Sequence, residues 1–185
     1  MKYMGSKQRL SKELVPILQN IINENRVDMY IEPFVGGANV IDKIKCSNKV
    51  GSDYNEFLIE LWQEIQKGYE IPSELSYDDY VEIKNNKSRH PKHLVAVAGI
   101  LATYNAKWFG GYAKITHTKA GTIRNYYDES RRNVIKQIPN IIDVDFYHRS
   151  YEYYSNENTQ NALIYCDPPY QNTTGYGSDF NHGKY

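Results

Sequence analysis

Early in the chain, strand, turn and helix alternate, and that order leaves few folds open. Residues 28–34 read as a short strand with Met29, Tyr30 and Ile31 as its apolar body, and Gly36-Gly37 ends it. A helix is predicted over 38–44, a second strand over 49–53, and a helix over 55–67. That last helix buries Phe57, Leu58, Leu61, Trp62 and Ile65 and stops at Gly68. Strand, turn, helix, strand, helix is the beginning of a parallel α/β sheet. Ahead of it, Leu10, Leu14, Ile17, Leu18, Ile21 and Ile22 recur at helical spacing, predicting an amphipathic helix over 6–25 that Pro16 kinks or splits.

The pattern is then interrupted. Residues 77–86 and 92–104 read as helices, 105–127 as a loop with glycines, lysines and scattered aromatics, and 128–137 as a helix with a basic polar face. Sheet signals return at 141–147 and at Ala162-Leu163-Ile164-Tyr165-Cys166. The reading divides the chain into a core part at 1–69, a helical insertion at 70–140 and a second core part at 141–185. The insertion coincides with a concentration of charge. Between Val81 and Lys136, eleven of the 22 basic residues stand against three acidic ones, a net +8 in a chain whose total charge is zero. Such asymmetry fits a polyanion-facing surface or a solvated set of helices and loops.

Composition closes off other classes. Cys46 and Cys166 are far apart without metal-ligand spacing, so neither a disulfide framework nor a zinc site follows, and Cys166 reads as a buried strand residue. No run approaches the roughly 20 apolar residues of a membrane span, and the start lacks a signal peptide, so the expected setting is cytoplasmic. The 18 tyrosines suit grooves and base-stacking surfaces, or reflect codon usage.

Three constellations carry chemistry. In Ile31-Glu32-Pro33-Phe34-Val35-Gly36-Gly37-Ala38-Asn39 a strand ends in a glycine turn, which lets a ligand approach the backbone, without the Gly-x-Gly-x-x-Gly dinucleotide fingerprint. Asp53 ends the next strand, where a carboxylate either accepts both ribose hydroxyls of a nucleoside cofactor or caps the following helix. Asp167-Pro168-Pro169-Tyr170 follows the last strand. Two prolines stiffen that elbow and hold Asp167 and Tyr170 at the carboxyl edge of the sheet, where open α/β folds bind ligands. An exocyclic adenine amine is a poor nucleophile because its lone pair is delocalised. A carboxylate at Asp167 and the carbonyl of Pro168 can accept its two N–H groups and favour a pyramidal nitrogen. The Tyr170 ring can stack on an extruded base. At the start of the chain, Tyr3 offers a ring face to a sulfonium and Lys7 offers charge to a carboxylate; alone, both also suit an ordinary surface helix start.

Tyr3-Met4-Gly5-Ser6-Lys7, Glu32-Pro33-Phe34-Val35-Gly36-Gly37, Ser52-Asp53-Tyr54-Asn55 and Asp167-Pro168-Pro169-Tyr170, in this order, strongly resemble the Dam-type (alpha-class) DNA adenine-N6 methyltransferases, from Lys2 to about Asn181. Many members are phage-encoded or belong to restriction–modification systems. The resemblance implies a Rossmann-like parallel sheet, here with room for about four strands in the order 3-2-1-4, and S-adenosyl-L-methionine as methyl donor. It also implies double-stranded DNA as partner and no metal. By it, Tyr3, Lys7, Phe34, Gly36, Gly37 and Asp53 contact the cofactor. Asp167 is shared between cofactor and adenine, and Pro168 and Tyr170 grip the base. Leu101-Ala102-Thr103-Tyr104-Asn105 through Trp108-Phe109-Gly110-Gly111 is similar to the family's target-recognition region. Asn105 and Trp108, with the basic Lys84, Lys87, Arg89, Lys107, Lys114, Lys119 and Arg124, are therefore the expected DNA contacts. Family members continue well past the catalytic tetrapeptide, whereas this chain stops 15 residues after Tyr170. The expectation is an incomplete sheet that lacks a C-terminal segment. Rival readings are a non-catalytic DNA-binding remnant and a methyltransferase acting on RNA or a protein amide.

Overall fold

The computed structural model describes residues 1–117, 121–155 and 159–169. Four parallel strands form its centre: β1 (Met29–Glu32), β2 (Asn48–Asp53), β5 (Val144–His148) and β6 (Ala162–Ile164), arranged β5-β2-β1-β6. In chain order this is 3-2-1-4, as the sequence predicts. Ile31 pairs with Val50 on one side and Ile164 on the other, and Gly51 pairs with Phe146. The strand order reverses between β1 and β6, the position where open parallel sheets leave a crevice at their carboxyl ends. Tyr30 and Ile31 are buried because helices and the flanking strands enclose β1.

Helix α1 spans Ser11–Asn25, starting five residues later than predicted. A turn precedes it, closed by the Ser11 amide on the Lys7 carbonyl at 2.7 Å. Pro16 sits inside this single helix on the exposed side, where water can serve the carbonyl that proline cannot reach. The predicted helix over 38–44 is only a 3₁₀ turn, Ile41–Lys43. Val40, Ile41 and Ile44 are all buried, and only Lys43 of the turn is exposed. Ala38 takes a positive φ of 53°, and the Asn39 amide is committed to the Met1 carbonyl at 2.6 Å and the Ser6 hydroxyl at 2.8 Å.

Helix α2 (Glu56–Gln66) is capped by Asn55, whose side chain accepts the Leu58 amide at 3.2 Å, so Asp53 is not the cap. Trp62 is fully buried, and Gln66 donates to the carbonyls of Ile141 and Val144 at 2.7 Å each, fastening α2 to β5. Helix α3 (Tyr77–Asn85) opens with a Ser76–Asp79 capping box. Helix α4 (Lys92–Ala96) gives way to a buried π-helical turn at Val97–Leu101 where a longer α-helix is predicted. A Cβ at Gly99 would lie 2.7 Å from the Phe109 and Trp108 rings, so the wider turn and the glycine make a socket for both.

The predicted loop carries a short antiparallel ribbon, β3 (Thr116–His117) with β4 (Ile123–Arg124). It leads into α5 (Tyr126–Ile141), longer at both ends than predicted, its start capped by Asn125 on the Asp128 amide. One apolar cluster joins Tyr30, Ile41, Leu58 and Trp62 to Val95, Ile100, Val134, Ile141 and Phe146. Cys166 is exposed, correcting its reading as a buried strand residue: β6 ends at Ile164, so Cys166 lies past the ladder. Among the described residues, no helix is long and apolar enough to cross a membrane.

Candidate active site

The carboxyl ends of β1, β2, β5 and β6 open into one cavity of about 940 Å³. Each strand delivers its residues through the loop that leaves it. β1 supplies Glu32, Phe34, Gly36 and Gly37, β2 supplies Asp53, the segment after β5 supplies Arg149 and Tyr151, and that after β6 supplies Asp167 and Pro168. The segment before α1 closes the remaining side with Tyr3 and Lys7.

The glycine turn is bound from several directions. The Gly36 amide donates to Asp53 Oδ2 at 3.0 Å, and its carbonyl accepts the Trp62 indole N–H at 3.1 Å. Gly36 needs its positive φ of 47°, and the Tyr3 ring lies against it, 3.1 Å from where a Cβ would stand. A Cβ at Gly37 would meet Asn39 Nδ2 at 2.6 Å and the Met1 carbonyl at 2.8 Å. The close approach the glycines permit is therefore made in large part by the chain's own N-terminal segment. The Met1 amine donates to the Gly37 carbonyl and Asn39 Oδ1, both at 3.0 Å, and burial pushes its pKa down to about 4. From behind, Gln137 of α5 donates to the carbonyls of Gly37 and Ala38 at 3.2 Å and to Asp42 at 3.0 Å.

Three of the carboxyl groups that line the cavity stand in different surroundings. Asp53 accepts the Asn55 amide at 2.9 Å as well as that of Gly36; burial nevertheless pushes its pKa above the usual carboxylate range, against the amides that favour its charge. Glu32 is almost wholly buried and accepts the Tyr30 hydroxyl at 2.9 Å; burial raises it to about 8. Asp167 pairs with Lys7 at 2.5 Å, both largely shielded from solvent. Phe34 stacks on Tyr151 with ring centroids 5.5 Å apart.

Of the residues singled out from sequence, Tyr3, Lys7, Phe34, Gly36, Gly37, Asp53, Asp167 and Pro168 all line this cavity. Tyr170 and Lys119 lie outside the described residues. Among the expected DNA contacts that are described, only Trp108 reaches the cavity, packed 5.3 Å from Phe57. Lys84 lies in the last turn of α3; Lys87 and Arg89 follow the helix, with Lys87 4.9 Å from the Phe109 ring. Asn105, Lys107 and Lys114 are exposed on the segment before the ribbon. Arg124 on β4 pairs with Glu129 at 2.9 Å and covers the Tyr126 ring. Sequence reasoning passed over Glu32, Arg149, Tyr151 and Gln137. The first three follow from the rule that flagged Asp53, a place just at or after a strand's carboxyl end. Gln137 carries no such signal, since its partners are backbone atoms far away in the chain.

Residues 3–182 match the family described as D12 class N6 adenine-specific DNA methyltransferase. The sequence is 22% identical to the Type II methyltransferase M.FokI of Planomicrobium okeanokoites, over 99% of this chain and 30% of that protein. It is 23% identical to the Modification methylase StsI of Streptococcus sanguinis, over 100% of this chain and 30% of that protein. The chain thus spans about 30% of the length of these curated relatives.

Proposed function

Because the chain belongs to the D12 class of N6 adenine-specific DNA methyltransferases, we propose that it transfers a methyl group from S-adenosylmethionine to N6 of adenine in double-stranded DNA. What carries this reading is that Asp53, the glycine turn and Asp167 line one cavity at the carboxyl edge of the sheet. Its volume of about 940 Å³ falls within the roughly 300–1,000 Å³ of small-molecule sites. The donor set suits the cofactor. Each Asp53 oxygen accepts one backbone amide and keeps a further acceptor site for a ribose hydroxyl. Tyr3 and Phe34 offer ring faces, and Lys7 is a cation for a carboxylate. When bound, S-adenosylmethionine supplies an electrophilic methyl group on a sulfonium centre.

The protein's own part is positioning. Lys7 pairs with Asp167 where the amine arrives, and a carboxylate acceptor makes the stronger hydrogen bonds. Asp167 and the Pro168 carbonyl take the two amine hydrogens and turn the nitrogen lone pair outward, while Tyr170 stacks on the extruded base. Orientation of this kind supplies most of the rate. Residues 70–140 serve as the target-recognition part, with Lys84, Lys87, Arg89, Lys107, Lys114, Lys119 and Arg124 toward phosphates and Asn105 and Trp108 toward the target.

The test is transfer of labelled methyl groups to DNA, RNA and protein offered in parallel. Label is expected on DNA, recovered as N6-methyladenine. Asp53→Ala should weaken cofactor binding about tenfold or more in calorimetry. Asp167→Asn should lower transfer by roughly a hundredfold or more. Label on RNA or protein instead, or cofactor binding indifferent to Asp53→Ala, would overturn the proposal.

A further inference from the structure

Outside the basic insertion, Arg149 at the cavity has no counter-charge among the described residues. Arg149 follows β5 and lines the cavity, its amide donating to the Asp53 carbonyl at 3.3 Å. Its guanidinium carbon lies 3.8 Å from the Tyr147 ring centroid, 4.1 Å from that of Tyr153 and 5.8 Å from that of Tyr154. Tyr154 is itself anchored, donating to the Ser52 hydroxyl at 3.0 Å. Ring quadrupoles fix a guanidinium without neutralising it. They also act on its faces, whereas its five N–H groups point outward in its plane. Among the described residues no carboxylate lies within ion-pair distance of Arg149, and none accepts a hydrogen bond from its side chain. Glu152 lines the same cavity without pairing with it.

A half-buried fork of free donors suits a planar, two-pronged anion partner. Lys7 and Asp167 stand at the β6 end of the edge, and Arg149 at the β5 end. Three strand spacings separate them, roughly 14 Å, so the carboxylate proposed for Lys7 is not within reach of Arg149. We propose that Arg149, held by Tyr147 and Tyr153, is a phosphate-binding corner for the DNA backbone on the rim opposite Asp167. This rests on the DNA-methylation reading. Along a duplex, roughly 14 Å is about four base-pair steps, so a backbone crossing the cavity mouth spans both rims.

The experiment measures binding of the full chain to a fluorescein-labelled duplex of arbitrary sequence across salt concentrations, by anisotropy. Each phosphate contact contributes about 0.9 to the slope of log affinity against log salt. Arg149→Gln is expected to reduce that slope by about 1 and to leave S-adenosylmethionine affinity within about twofold. Arg149→Lys should retain the slope. Arg149→Met, which keeps an apolar stem between the rings, repeats the neutral measurement if the glutamine variant is unstable. An unchanged slope in the neutral variants overturns the inference, as does a tenfold loss of cofactor affinity with DNA binding intact. If the wild-type chain shows no salt-dependent DNA binding, the DNA reading falls and this inference with it; a wild-type slope that the neutral variants share defeats only the inference.

Discussion

Glu32 closes the end of β1 with 3% of its surface exposed, and burial raises its pKa from 4.5 to about 8. At neutral pH the folded protein therefore holds a proton there that the unfolded chain releases. Between the two values the folded state binds more protons, so the group's contribution to stability falls as pH rises, by up to about 1.4 kcal/mol per pH unit. The Met1 amine works the other way. Its pKa is lowered from 8.0 to about 4, so over the same window the unfolded state binds more protons and stability rises with pH. Wild-type melting alone mixes these opposed slopes, but Glu32→Gln isolates one. Gln mimics the neutral carboxyl at every pH, so the melting temperature of Glu32→Gln relative to wild type should climb from pH 5 to pH 8. Parallel curves would mean that Glu32 ionises in the fold without penalty. Such a residue was visible in the sequence only as part of a motif. Asp53 and Asp167 stood out because a carboxylate just past an apolar run is conspicuous, but the same position gave no hint that Glu32 turns inward toward Tyr30.

At the scale of elements, what repeats locally was legible and what depends on distant partners was not. The parallel sheet followed from alternation, its strand order from the family resemblance, and α2 from apolar spacing, whereas the caps at Asn55 and Ser76 emerged only in the structure. The 38–44 helix failed because Asn39 bonds to Met1 and Ser6, and the long helix after Pro91 failed because Trp108 and Phe109 occupy the space beside Gly99. The site was legible to the extent that strand ends announce it; its support by α5 was not. Through Gln137, α5 ties the backbone of the glycine turn to the segment that begins at the β3–β4 ribbon. Gln137→Met keeps the volume and removes the donor, leaving the carbonyls of Gly37 and Ala38 buried without it. A loss of about 1–3 kcal/mol is expected in urea unfolding. Cofactor affinity should weaken by more than in a surface variant such as Lys136→Ala. Unchanged stability would show that the turn holds its shape without α5.

Across the whole molecule, the apolar cluster makes no break where the basic segment enters. Ile100, 1% exposed on the π turn, belongs to the same core as Tyr30 and Phe146 of the sheet, and α2 packs against both α4 and β5. A basic segment built into the core this way cannot loosen independently of the sheet that carries Asp53 and Asp167, because each lends the other its buried surface. The two tryptophans test this directly: Trp62 lies in α2 beside Phe146, 5.8 Å between centroids, and Trp108 packs between Phe57 and Phe109. In single-tryptophan variants carrying Phe at the other position, fluorescence from either site should report one unfolding transition with a common midpoint. Ile100→Ala should cost about 2–5 kcal/mol, as truncation of a buried aliphatic chain does, and shift both reports together. If the basic segment were a separate unit, the substitution would move the Trp108 transition and leave that of Trp62 behind.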